Sequence, residues 1–157
     1  MILREKGKAM HEPIQILAIQ QLGRTHRAYL SAFEAHIGLS MQRWRVLLLL
    51  HQLGELSQKE LALRLPMDPG ALTRLIKAIE QQGWIARRND ATDNRLTNVA
   101  LTDAGCAVVN EMLPKRAAFI ENAFGDLSQE QVVALTSMLK TLEHHLNADL
   151  AAALQRS

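Results

Sequence analysis

The chain has 157 residues, of which 48% are hydrophobic and 22% charged, with a formal net charge of +2. Such a composition excludes a disordered chain, and the length predicts one compact domain with appended helices over residues 1–157 rather than two independent modules. The single cysteine, Cys106, excludes an intrachain disulfide, and apolar runs such as Val46 to Leu50 fall far short of the ~18 residues of a membrane span.

Arg4, Lys6 and Lys8 near the start are followed by no apolar region or small-residue cleavage site of a signal peptide. With the lone thiol, this predicts a cytoplasmic protein without membrane association and with a frayed N-terminal tail. From Pro13, residues Ile14, Leu17, Leu22, Tyr29, Leu30, Phe33 and Ile37 recur at about helical intervals up to Gly38. A long first helix is expected there, with Pro13 in its first turn, where a missing N–H costs nothing. Ser40 is the expected N-cap of a second helix through Trp44, Val46, Leu47 and Leu50 that ends near Gly54. That helix is almost wholly apolar after Arg45, which predicts burial on most sides.

Ser57-Gln58-Lys59-Glu60 fits a capping box, in which hydroxyl and carboxylate each satisfy a free backbone N–H at a helix start. The short helix through Leu61 and Leu65 stops at Pro66, and Asp68-Pro69 restarts the chain with an N-cap and a proline at the first helical position. The next helix carries Leu72, Leu75, Ile76 and Ile79 inward and closes at Gly83. Two short helices across a tight break outline a helix-turn-helix.

After Gly83 the period changes. Trp84 to Arg88 and Leu96 to Leu101 are brief, partly alternating stretches around the polar segment Asn89 to Arg95, which predicts a β-hairpin with a solvated tip. Thr102 caps a further helix through Val108, Val109, Met112, Leu113 and Ile120, with a kink expected at Pro114. Ser128 and Gln131 form a second capping box, opening a last helix through Val132, Leu135, Met138, Leu139, Leu142, Leu146 and Leu150; Ala151 to Ser157 are expected to fray. The fold class is therefore mainly α with a small β wing.

Helix-turn-helix, hairpin wing and flanking long helices together resemble the MarR family, the multiple antibiotic resistance regulators. The resemblance covers nearly the whole chain and is most specific in Met67 to Ile76, Gly83-Trp84-Ile85, Asp93-Asn94-Arg95 and Val99 to Gly105. It implies a winged helix-turn-helix lobe over 41–102 flanked by dimerisation helices at 13–40 and 103–155. It further implies a homodimer that holds two winged lobes over one face of a double-stranded DNA operator of near-palindromic sequence, acting as a repressor. The apolar surplus of the terminal helices agrees with a dimer interface.

In that comparison the Asp68 to Gln82 helix enters the major groove by its N-terminal half, where Gly70, Ala71, Thr73, Arg74 and Lys77 are the exposed candidates. Arg74 is the candidate for reading guanine O6 and N7, and Thr73 for a thymine methyl or a phosphate. Charge alone would leave Arg74 and Lys77 as a solvated helix face. Arg95 resembles the family's arginine that reaches into the minor groove, with Asp93 holding it or the loop. Arg87 and Arg88 alternate in direction, so one of them, taken as Arg88, faces DNA. Ser57, Gln58 and Lys59 lie at a helix start that can grip phosphate.

Family members commonly take aromatic or phenolic ligands between winged lobe and dimerisation helices, which makes His36, Trp44, Arg45 and His51 the candidate effector residues. Read for packing alone, Trp44 is a core residue and His51 a solvent-facing histidine. Cys106 reads as a packed thiol, and the adjacent His144 and His145 point about 100° apart on a helix, so no metal site is expected. No Gly-rich phosphate loop or nucleophile elbow is present, so neither catalysis nor a cofactor is expected. The alternative function, a winged-helix protein-interaction adaptor without operator binding, calls for an eroded recognition helix, and Arg74, Lys77 and Arg95 speak against it.

Overall fold

In a computed structural model, residues 12–93 and 95–156 are described; Arg4, Lys6, Lys8 and the expected N-terminal fraying, together with Asn94 and Ser157, lie outside them. The described residues form α1 (Ile14–Ile37), α2 (Met41–Leu53), β1 (Leu56–Ser57), α3 (Gln58–Arg64), α4 (Pro69–Gln81), β2 (Ile85–Asn89), β3 (Thr97–Leu101), α5 (Asp103–Phe124) and α6 (Gln129–Leu154). This is the winged helix-turn-helix order, mainly α with a small antiparallel sheet. Two compact units result, one ending at Arg116 and the other beginning at Ala117, so the division falls within α5.

In the first unit the helix ends follow local chemistry. Pro13 sits at the N-cap of α1 rather than inside its first turn, and its carbonyl accepts from the N–H groups of Ile16 and Leu17. Gly38 closes α1 at φ 79°, a left-handed conformation that costs glycine little, and its N–H donates to the Glu34 carbonyl. Ser40 caps α2 by accepting from the Arg43 N–H at 3.4 Å. Trp44, Val46, Leu47 and Leu50 of α2 are buried, yet Leu48 and Leu49 are only half-buried, so the helix shows one open side despite its apolar run.

The core gathers Phe33, Trp44, Leu47, Leu61, Leu72, Ile76, Ile79, Ile85, Val99 and Val109, all essentially sealed from solvent. Each such side chain contributes ~1.5–3 kcal/mol relative to exposure, which is what holds so short a set of helices against the sheet. Phe33 and Trp44 meet as tilted rings with centroids 6.5 Å apart.

The sheet has the order β1-β3-β2, antiparallel throughout. Leu56 pairs with Val99 and Val99 with Arg87, while Ser57 pairs with Asn98 and Asn98 with Arg88. With side chains alternating along each strand, Leu56, Val99 and Ile85 share the core face, and Ser57, Asn98 and Arg88 form a row across the other. β1 is absent from the sequence reading because two residues are too few to show alternation.

The start of α5 explains the Leu-Thr-x-x-Gly pattern. The Thr102 hydroxyl accepts from the Gly105 N–H at 3.1 Å and donates to the Gly83 carbonyl at 2.6 Å, while the Thr102 N–H donates to the Trp84 carbonyl at 3.0 Å. A Cβ at Gly105 would overlap the Trp84 carbonyl, so only glycine lets the helix start against this turn. Pro114 lies inside α5, which continues past it.

In the second unit, Ser128 and Gln131 complete both halves of the predicted capping box. α6 runs on through Ala151 to Leu154, where the sequence predicts fraying. None of its side chains is buried, and Leu135, Leu139, Leu146, Leu150 and Leu154 make an exposed apolar stripe at helical spacing.

Candidate nucleic-acid interface

The helix-turn-helix is built from caps. The Ser57 hydroxyl accepts from the Glu60 N–H and donates to the Glu60 carboxylate, which also accepts from the Ser57 N–H at 2.8 Å. These hydrogen bonds from Ser57, backbone first and then side chain, hold the Glu60 carboxyl below its ordinary range. Ser57 is buried and its hydroxyl donor is engaged by Glu60, so its part at this helix start is that of the cap. Gln58 is half-buried, with its Nε2 without a hydrogen-bond partner among the described residues, and Lys59 is exposed.

Asp68 caps α4 by accepting from the Ala71 N–H at 2.8 Å. Leu72, Ile76 and Ile79 turn inward, Leu75 is half-buried, and Gly70, Thr73, Arg74 and Lys77 are exposed on the other side. Ala71 is half-buried rather than exposed. The Thr73 hydroxyl donates to the Pro69 carbonyl at 3.0 Å, which fixes its rotamer. A Cβ on Gly70 would lie 3.6 Å from Arg74 Nη1, so the guanidinium extends back toward the start of the helix. Neither Arg74 nor Lys77 has an ion pair among the described residues.

The wing arginines are all paired. Arg87, on the core-side face of β2, reaches Glu80 of α4 at 2.7 Å; Arg88, on the other face, reaches Glu55 at 2.7 Å. The side chain of Arg88 is 72% exposed and that of Arg87 29%, so the alternation does present one of the two outward, and it is Arg88. Arg95 stands at the hairpin tip with its side chain 90% exposed, and Asp93 accepts from both its backbone N–H and its Nε. Asp93 thus holds both Arg95 and the loop, and the Arg95 guanidinium in turn keeps the Asp93 carboxyl low.

Asp90 organises the turn. Its carboxylate accepts from the Thr92 hydroxyl and N–H, from the Asp93 N–H and from Asn98 Nδ2, and these bonds, the Thr92 hydroxyl first, hold it far below the ordinary range. Asn98 Nδ2 also lies 3.4 Å from the Glu55 carboxylate. Glu55, Glu80 and Asn98 escaped the sequence reading. Glu80 acts seven residues ahead of Arg87 across a turn and Glu55 acts 33 residues ahead of Arg88, so no local period links them. Hairpin register, which sets Asn98 opposite Arg88, is the one signal that could have found Asn98.

The four candidate effector residues do not converge. Trp44 is sealed in the core against Phe33, His36 hydrogen-bonds the Ala32 carbonyl from an exposed position, and His51 is exposed near the end of α2. Arg45 lines a cleft, of about 370 Å³, beside Leu48, Leu49, Gln52, Arg64, Leu65 and Pro66. Burial therefore removes Trp44 as an accessible aromatic wall. Cys106 is half-buried. Among the described residues no cluster of His, Cys, Asp and Glu suits a metal ion, and no helix is long and apolar enough to cross a membrane.

The profile of the MarR family matches residues 39–97, which span α2 to the start of β3. The HTH-type transcriptional regulator YdgJ of Bacillus subtilis is 32% identical over 115 residues, covering 73% of this chain and 70% of that protein. The HTH-type transcriptional regulator MhqR of the same organism is 30% identical over 122 residues, covering 76% of this chain and 84% of that protein. Among solved structures, the organohalide-sensing regulator RdhR in its 2,4-dichlorophenol-bound form superimposes with a TM-score of 0.81 at 17% identity, covering 92% of this chain and 89% of the other.

Proposed function

The chain belongs to the MarR family of DNA-binding transcriptional regulators, and on that premise we propose that it is a homodimeric repressor that holds a near-palindromic operator and releases it to a small aromatic or phenolic effector. The observation that carries the operator reading is Arg95. A guanidinium 90% exposed at a hairpin tip, with its Nε held by a carboxylate two residues away, is prepared to enter a narrow minor groove.

On this reading α4 lies in the major groove, Arg74 reads guanine and the Thr73 methyl meets thymine. Gly70 and Ala71 allow close approach, while Lys77, Arg88, and Gln58 and Lys59 at the start of α3 face phosphate. Asp93 positions Arg95, and Ser57 contributes through its cap. Residues 41–102 act as the DNA-binding lobe, and 13–40 with 103–155 as the dimerisation helices. The exposed stripe on α6 and the exposed Ile14, Ile16, Leu17, Ile19 and Leu22 on α1 support the dimer. The dichlorophenol held by RdhR supports a phenolic effector, for which Arg45 in its apolar cleft is a candidate anchor, with His36 and His51 as outlying candidates.

The test is a fluorescence-anisotropy titration at fixed salt on the DNA upstream of the protein's own gene, against a scrambled duplex, with and without a panel of phenols and aromatic acids. Preference for the upstream DNA, lost on adding a panel member, is expected. Equal affinity for both duplexes would overturn the operator reading, and a panel without effect would overturn the effector.

A further inference from the structure

The surface beside the wing is unusually acidic for one that meets a polyanion. A cleft of about 570 Å³ is lined by Glu55, Glu60, Asp90 and Asp93, with Lys59 as the cation among its lining residues. Glu60, Asp90 and Asp93 are committed to the α3 cap, the wing turn and Arg95. Glu55 is different. Its carboxylate takes an arginine of the DNA-facing side of the sheet, with Arg88 Nη2 within 2.8 Å of both oxygens. Glu55 is also steadied by Asn98, which stands opposite Arg88 in register and donates from the same Nδ2 to Asp90.

We propose that Glu55 acts as an electrostatic brake, withholding Arg88 from phosphate so that duplex of arbitrary sequence is gripped less tightly. The inference rests on the reading that Arg88 faces DNA. Non-specific binding is supplied almost wholly by cations that displace counterions from phosphate. An arginine already neutralised by a carboxylate contributes little of this. If it leaves that carboxylate for a phosphate, the stranded glutamate recruits a cation and cancels part of the counterion release. The Arg88 side chain is 72% exposed, and an exposed ion pair is weak enough to exchange when the other contacts are in register. The same cost falls on every complex in which Arg88 meets phosphate, and a complex with only phosphate contacts has the least else to hold it.

The experiment measures affinity for a mixed-sequence duplex about three helical turns long, across a salt series, for wild type, Glu55→Gln, Arg88→Ala and the double variant. Glutamine keeps an oxygen for Asn98, so the fold is undisturbed, which thermal melting checks. Glu55→Gln is expected to bind about three- to tenfold tighter, with the log–log salt slope steeper by about one per protomer. In the Arg88→Ala background the same substitution leaves the slope unchanged. An equal or weaker affinity of Glu55→Gln, or the same gain and slope without Arg88, would overturn the brake. If wild type binds no duplex even at low salt, the DNA-binding reading fails with it; if wild type binds and Glu55→Gln does not tighten, the brake alone fails.

Discussion

Glu80, in the last turn of α4, holds Arg87 of β2 by three of its atoms: the guanidinium Nε at 2.8 Å, Nη2 at 2.7 Å and the backbone N–H at 3.3 Å. The clamp ties the end of α4 to the first strand of the wing.

The clamp titrates. The Arg87 side-chain hydrogen bond holds the Glu80 carboxyl below its ordinary range. A carboxyl depressed in the folded state stabilises the fold where the unfolded chain's glutamate is already ionised, and that stabilisation is lost as pH falls through the folded value. Glu80→Gln is therefore expected to melt below wild type at pH 7, with the gap narrowing as pH falls from about 4 downward. A gap unchanged at acid pH would show that the carboxylate charge is not what matters.

Gly105 yields a steric prediction. A methyl group there meets the Trp84 carbonyl, a backbone atom that cannot rotate away and that already accepts from the Thr102 N–H. Gly105→Ala is expected to lose about 1–3 kcal/mol in urea unfolding, the usual cost of forcing atoms into a packed site. A loss within error of zero would mean that α5 can start elsewhere.

Ser57 separates cap from contact. Ser57→Ala removes the side-chain half of the α3 capping box and is expected to cost about 1 kcal/mol of stability. Because the hydroxyl donates to Glu60, the salt slope of DNA binding, measured well below the melting temperature, is expected to stay as in wild type. A shallower slope would restore Ser57 as a phosphate contact.

What the sequence disclosed divides along the range of the interactions. Caps at Ser40, Ser57, Asp68 and Ser128 act within three residues, and each is formed as its motif implies. Hairpin and helix-turn-helix were legible because their periods run for several residues. The two-residue β1, the Glu80 clamp and the Glu55 pair were not, since each depends on where a distant segment lands. Trp44 shows the limit of the resemblance: packing alone reads it as core, and there it lies against Phe33, whereas its place among the effector candidates came only from the family comparison.

Arg74 and Arg95 predict different losses on the proposed operator. Arg74→Ala removes a bidentate base contact and is expected to cost about 1–3 kcal/mol of binding while relaxing preference at one base pair. Arg95→Ala is expected to weaken binding most where the flanking sequence is A·T-rich, because narrow grooves concentrate negative potential. Neither side chain supports the core, so both variants keep the wild-type melting temperature. Operator mutants titrated with each variant check the pattern; losses uniform across all sequences would reduce both residues to phosphate contacts.

Dimerisation offers the sharpest discrimination, because the residues concerned are more than half exposed in the chain alone. Leu146 and Leu150 are each 57% exposed on α6, four residues apart on one stripe. A glutamate at either position removes little packing within the protomer, yet in a dimer it would bury an unpaired charge, which an interface does not tolerate. Leu146→Glu with Leu150→Glu is therefore expected to shift sedimentation from dimer to monomer with helical content retained. Operator affinity should fall far more than affinity for random duplex, since only the operator rewards two lobes at once. If the double variant stays dimeric, another surface joins the protomers; if it is monomeric with operator affinity intact, two lobes are not needed and the palindromic reading falls.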